Sequence, residues 1–113
     1  MILEQRKRGS AIIVDIIGEI KKPQGSNELD VLLKQLLEKG NKRIGLNMSQ
    51  VTYLDSGAIS SIITTYKKLK KKGEMFIVEP SPDVIDIITL LELNSIINIY
   101  RSEEELDHHL KSQ

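Results

Sequence analysis

A carboxylate, a hydroxyl and a glycine stand side by side at Asp55-Ser56-Gly57, within the run Val51-Thr52-Tyr53-Leu54-Asp55-Ser56-Gly57-Ala58-Ile59. The run passes from strand-like to helix-like residues, and in open α/β sheets functional sites collect at the carboxyl ends of strands. Asp and Ser are also the residues that cap helices, because a side-chain oxygen accepts an N–H of the first turn. The segment therefore reads as a helix start or as a functional surface.

Other chemistry-bearing groups carry less. His108 and His109 are adjacent, so on a helix they project about 100° apart and cannot form the i, i+4 ligand pair of a helical metal site. They read as a solvated polar end. Lys67, Lys68, Lys70, Lys71 and Lys72 form a basic cluster, but they close a helix whose terminal carbonyls favour lysine without any ligand. Neither G-x-G-x-x-G nor G-x-x-x-x-G-K-[ST] occurs before a helix, so both phosphate-cradling fingerprints are missing. No nucleophile–base pair stands out either. The expectation is a non-enzyme with no catalytic residue, metal or cofactor.

The elements that must position Asp55-Ser56-Gly57 belong to a chain of 113 residues with 16 Lys plus Arg, 16 Asp plus Glu and no Cys. That length suits one domain, residues 1–113, burying roughly two-thirds of the surface its unfolded form exposes. Zero formal net charge gives no general attraction to nucleic acid or to an anionic membrane. Apolar stretches such as Ala11 to Ile17, broken by Asp15, stop short of the roughly 20 residues of a membrane span. Met1 to Arg8 places its charges after its apolar residues, the reverse of a secretory signal. A cytoplasmic protein without nucleic-acid partner or direct membrane insertion is expected.

Ala11 to Ile17 is β-branched and closed by Gly18, and Met1 to Arg8 pairs with it across Gly9-Ser10 as a hairpin. After a break at Lys22-Pro23-Gln24-Gly25, the residues Leu29, Leu32, Leu33, Leu36 and Leu37 mark one helical face, with Ser26 or Asn27 as cap and Gly40 past the end. Arg43 to Met48 alternates as a strand. A second helix follows Asp55 through Ala58, Ile59, Ile62, Ile63, Tyr66 and Leu69, ended by a left-handed Gly73. Met75 to Val78 is the next strand, and Ser81-Pro82-Asp83 starts a helix lined by Val84, Ile85, Ile88 and Leu91. Asn94 terminates it, Ile96 to Tyr100 is a last strand, and Ser102 with Glu105 begins a closing helix through Leu106 and Leu110. The order β-β-α-β-α-β-α-β-α gives an α/β fold with a largely parallel sheet, an antiparallel N-terminal edge and four helices.

Four pieces in this order resemble the STAS domain, the sulfate transporter and anti-sigma factor antagonist family, and its small stand-alone bacterial members in particular. They are Gly18-Glu19-Ile20 after a strand, Val51 to Ser56 before a helix, Lys72-Gly73-Glu74-Met75-Phe76-Ile77 into a strand, and Ser81-Pro82-Asp83-Val84 leading to Leu90-Leu91-Glu92-Leu93-Asn94. The resemblance implies a mixed sheet of four or five strands and a regulatory binding module. In that family an unphosphorylated antagonist binds an anti-sigma factor that is also a kinase, and phosphorylation ends the binding.

The family motif is Asp-Ser-Ser/Thr-Gly, with the phosphorylated residue before the glycine, whereas this chain has only Asp55-Ser56-Gly57. Without a gap, Gly57 replaces the phosphorylated residue and Ala58 the glycine, while Ile59, Ile62 and Ile63 keep the family's apolar positions. With a one-residue deletion, Ser56 becomes the phosphosite and the helical face turns by about 100°. The ungapped register is preferred; it puts Ser56 at or just before the cap, its hydroxyl occupied by a backbone N–H. Lys21 follows Gly18-Glu19-Ile20 where the family has a small polar residue. The resemblance thus implies docking on an anti-sigma factor or kinase-like regulatory protein through Gly18, Glu19, Lys21, Asp55, Ser56, Gly57 and Ser60. Ser56 is the candidate phosphoacceptor. The alternative is a non-phosphorylated accessory or scaffold subunit of a signalling complex or lipid transporter.

Overall fold

Strand β1 (Ile2–Arg8) turns through a left-handed Gly9, φ +58, into β2 (Ala11–Ile20), and the two pair antiparallel as the expected hairpin. In this computed structural model, which describes residues 1–22 and 24–112, the chain continues as α1 (Gln24–Glu38), β3 (Arg43–Leu54), α2 (Ser56–Leu69), β4 (Glu74–Val78), α3 (Pro82–Leu90), β5 (Asn98–Tyr100) and α4 (Glu103–Lys111). Pro23, part of the expected break, lies outside the described residues. The sheet order is β1-β2-β3-β4-β5, and every pair after the first is parallel. Among the described residues, no helix is long and apolar enough to cross a membrane.

Strands laid down in one direction and joined by right-handed crossovers place their helices on one face. The main core shows this arrangement: Leu29, Leu33, Ile62, Val84 and Ile88 pack with Val14, Ile16, Ile44, Leu46, Met48 and Ile77. On the opposite face Leu106 of α4 packs with Ala11, Ile13, Phe76 and Val78. The sheet is thus covered on both sides, and Met75 to Val78 is buried without interruption.

Several expected boundaries move, each for a physical reason. β3 does not stop at Met48. Its register against β2 slips between Asp15 and Ile17 and again between Gly18 and Glu19, so that β3 carries extra residues. These irregularities turn the period from two to three, and Met48, Val51 and Leu54 all reach the main core. β2 likewise passes through Gly18, φ +105, to Ile20 instead of closing there. Neither Ser26 nor Asn27 caps α1, which has already begun at Gln24; Ser26 is a buried first-turn residue.

Gly73 is not left-handed, because the positive-φ glycines are Gly9, Gly18 and Gly40. Its role is close approach: a Cβ there would lie 1.8 Å from the Lys42 carbonyl oxygen, which accepts the Glu74 N–H at 2.8 Å. Ser81 caps α3 as expected, accepting from Val84 N–H at 3.3 Å, but Ile85 and Leu91 are exposed and the left-handed residue after the helix is Glu92, not Asn94. The last strand is shorter than Ile96 to Tyr100. His109 is not solvated: its Nε2 lies 2.8 Å from Glu74 Oε2, and its ring centroid is 5.6 Å from those of Phe76 and Tyr100. Only His108 is exposed as expected.

Candidate functional site

β2 and β3 run parallel, so their carboxyl ends emerge at one edge of the sheet. The pairs Gly18↔Val51, Glu19↔Tyr53 and Ile20↔Leu54 carry the two strands there together, and the Asp55 N–H donates to the Ile20 carbonyl at 2.9 Å. Residues separated by a whole helix in sequence, Gly18-Glu19 and Lys21 on one side and Asp55-Ser56-Gly57 on the other, are thereby neighbours. Ser60 lies exposed on the next turn of α2.

Asp55 holds this edge. Its Oδ1 accepts the Ala58 N–H at 2.9 Å, capping α2, and the Ser26 hydroxyl at 2.6 Å; its Oδ2 accepts the Lys22 N–H at 2.6 Å. One carboxylate therefore ties the start of α2 to the start of α1 and to the residue following Lys21. The Ser26 hydroxyl first, then the Ala58 and Lys22 amides, hold the Asp55 pKa below the usual carboxylate range against the opposing effect of burial. With its oxygens engaged by these three donors, Asp55 orders the surface.

The cap assignment corrects the expectation for Ser56. Asp55 is the N-cap, and Ser56 is the first helical residue, exposed to solvent. Gly57 faces inward: a Cβ there would meet Ser26 Oγ at 3.1 Å and Ser26 Cβ at 3.3 Å. The first turns of α1 and α2 pack in direct contact, and any side chain at position 57 must displace Ser26.

The rim around this turn is polar and open. Lys21 Nζ lies 3.3 Å from Glu19 Oε2, both side chains being more than half exposed. Gly18 adopts φ +105, and its α-carbon region faces Met1, whose Cα a Cβ would approach to 3.6 Å. A shallow cleft of ≈ 310 Å³ runs along Met1, Glu19, Lys21, Lys22, Gln24 and Glu28. Tyr53, paired with Glu19, exposes 46% of its surface at the same edge. Sequence reasoning missed two residues here. Ser26, of a residue type common at N-caps, is instead buried in the first turn of α1, and Tyr53, named only within the run Val51 to Ile59, is an exposed residue of β3. The signal for Ser26 is a small polar residue opposite a glycine, which emerges only once α1 and α2 are known to touch.

The STAS domain family model matches residues 3–106 of the chain. Among solved structures, an anti-sigma factor antagonist from Mycobacterium paratuberculosis is similar at 18% identity with a TM-score of 0.87, covering 97% of this chain and 93% of that one. An anti-sigma-factor antagonist (STAS) domain protein from Planctomyces limnophilus is similar at 9% identity and a TM-score of 0.84, covering 96% of each chain. The anti-sigma factor antagonist SpoIIAA in its unphosphorylated form is similar at 14% identity and a TM-score of 0.75, covering 99% of this chain and all of its own; a Bacillus SpoIIAA has also been solved phosphorylated. At these identities the likeness establishes a shared fold.

Proposed function

The chain belongs to the STAS domain family, and on that premise we propose that it is a cytoplasmic regulatory module, one domain over residues 1–113, that docks on an anti-sigma factor or kinase-like partner through the Asp55 edge. The observation that carries this reading is the triple engagement of Asp55 by Lys22, Ser26 and Ala58. It fixes two segments distant in sequence as one rigid surface, and a preordered surface binds with less loss of chain entropy. Gly18, Glu19 and Lys21 form one side of the docking surface, Ser56, Gly57 and Ser60 the other, with Asp55 beneath.

In this reading docking is not switched off by ATP. In the ungapped register Gly57 occupies the position of the family phosphoacceptor, and it packs against Ser26 with little room for a larger side chain. The same contact favours a second reading, in which the chain is a constitutive accessory or scaffold subunit of a signalling complex or a lipid transporter. Co-purification of a kinase supports the first reading and of a transporter ATPase the second.

The test uses Ser60→Glu together with phosphosite mapping. Ser60 is exposed and lies off the face formed by Ala58, Ile62, Thr65 and Leu69, so Ser60→Glu is expected to weaken the cognate partner while leaving Tm nearly unchanged. Affinity that survives with collapsed stability means the face was assigned backwards. Incubation with the cognate kinase and ATP, followed by mass spectrometry, is expected to leave Ser56 unmodified. Stoichiometric phosphoserine at Ser56 overturns the ungapped register and restores the phosphorylation switch, the added −1.5 to −2 charge (about) then ending docking by repulsion.

A further inference from the structure

At the opposite end of the sheet, before β3 begins, the carboxyl ends of α1 and α2 enclose a cavity of ≈ 590 Å³ lined by Leu37, Gly40, Asn41, Leu69 and the lysines 42, 67, 68, 71 and 72. Its volume lies within the range of about 300 to 1,000 Å³ usual for small-molecule pockets. The geometry points to a binding site for a compact anion bearing several phosphate groups.

Helix-end compensation accounts for only part of this lysine cluster. Lys67 and Lys68 lie in the last turn of α2, where terminal carbonyls favour cations. Lys71 and Lys72 lie beyond the helix, and Lys42 comes from the segment before β3. No carboxylate lines the cavity, and among the described residues none of the five lysines makes an ion pair. Asp30, which feels the Lys68 charge, is already paired with Lys34 at 2.8 Å. Five lysines lining one cavity that no carboxylate lines repel one another, and a multivalent anion relieves that repulsion.

The backbone that carries them is fixed in advance. The Lys42 carbonyl accepts the Glu74 N–H at 2.8 Å, an approach that Gly73 alone permits. The Lys72 N–H donates to the Leu69 carbonyl at 2.9 Å, and Asn41 donates both its backbone N–H and its side-chain amide to the Leu36 carbonyl. These bonds order the backbone of the wall, leaving the lysine side chains as the part that a ligand must order. No aromatic residue lines the cavity, so a nucleobase has nothing to stack on and recognition rests on the phosphates. Leu37 and Leu69 supply the apolar part of the lining.

Titration of the protein with sodium tripolyphosphate, followed by amide NMR, is expected to give saturable shifts confined to Gly40, Asn41 and the 67–73 segment. Lys42→Gln/Lys71→Gln should raise Kd by about five- to tenfold, the loss of two screened charge pairs. Arg101→Gln/Lys111→Gln changes net charge equally at sites remote from the cavity, Arg101 just past the carboxyl end of β5 and Lys111 on α4 across the sheet, and should leave Kd unchanged. Non-saturating shifts spread over many lysines, or equal weakening by both double variants, overturns the site. ATP binding no tighter than tripolyphosphate supports a site that reads phosphates, whereas a large preference for ATP overturns that assignment. Phosphatidylcholine vesicles carrying phosphatidylinositol phosphates separate the source. Preferential vesicle binding lost in Lys42→Gln/Lys71→Gln places the phosphates on a lipid headgroup, and vesicle binding indifferent to those lysines counts against the cavity.

Discussion

Replacing Asp55 by alanine would remove the acceptor from three donors at once, the Ser26 hydroxyl and the amides of Lys22 and Ala58. Ser26 is buried, so its hydroxyl would be left without its partner as well as the helix without its cap. Asp55→Ala should therefore cost about 1 to 3 kcal/mol. Ser56→Ala, at an exposed first-turn position, should change stability by less than about 0.5 kcal/mol. Denaturant midpoints check both, and a Ser56→Ala loss equal to that of Asp55→Ala would refute the cap assignment. Spacing alone named Asp55 and Ser56 without choosing between them. The choice is made by Ser26 and Lys22, about thirty residues upstream, whose approach depends on the parallel pairing of β2 with β3. The same long-range dependence hid Gly73, where the sequence suggested a helix end and the structure requires close passage of the Lys42 carbonyl.

At the scale of elements, helices were the most legible because their apolar residues repeat locally. Leu29, Leu33 and Leu36 are buried as their spacing requires, and Leu33 is fully enclosed. Leu33→Ala should accordingly cost about 2 to 5 kcal/mol through lost burial and a residual cavity. An unmoved denaturant midpoint would show that α1 does not supply the core. Strand ends were less legible because bulges alter the period that identifies a strand. Past Met48 the buried residues of β3 recur every third position, at Val51 and Leu54, while Ser81 of the α3 cap donates its hydroxyl to the Val51 carbonyl at 2.6 Å. These irregularities carry β3 to the candidate site and aim its last residues at α2. Elements were found in the right order, but the residues that shape the site lie where their regularity fails.

Across the whole molecule, the two chain ends are joined by a charged network that no local pattern announces. Arg6 of β1 donates to Asp15 of β2 and to Glu103 of α4, Arg8 donates to Glu103 and Asp107, and Asn47 of β3 donates to Glu103 at 2.9 Å. Glu103 is only 8% exposed, so its bonds lie where water competes poorly. Closing α4 over the second face thus depends on one carboxylate that gathers β1, β3 and α4. The Arg6 guanidinium first, then the Asn47 amide, holds the Glu103 pKa below its ordinary value, and Asp55 is depressed in the same direction by its own donors. A depressed carboxylate pKa means that the folded state favours the ionised form. Its contribution is complete above the unfolded pKa of about 4 and is lost as pH falls through the lower folded value. Glu103→Gln should cost about 1 to 3 kcal/mol near pH 7, a figure held down by the partial exposure of Arg6 and Arg8. The difference from wild type should narrow at a second, acid pH below the ordinary carboxylate range, where the native carboxylate also protonates. Urea unfolding of both proteins at the two pH values measures it: a gap that stays constant would mean that Glu103 stabilises the fold by shape and neutral hydrogen bonding, and that ion pairing does not hold α4 in place.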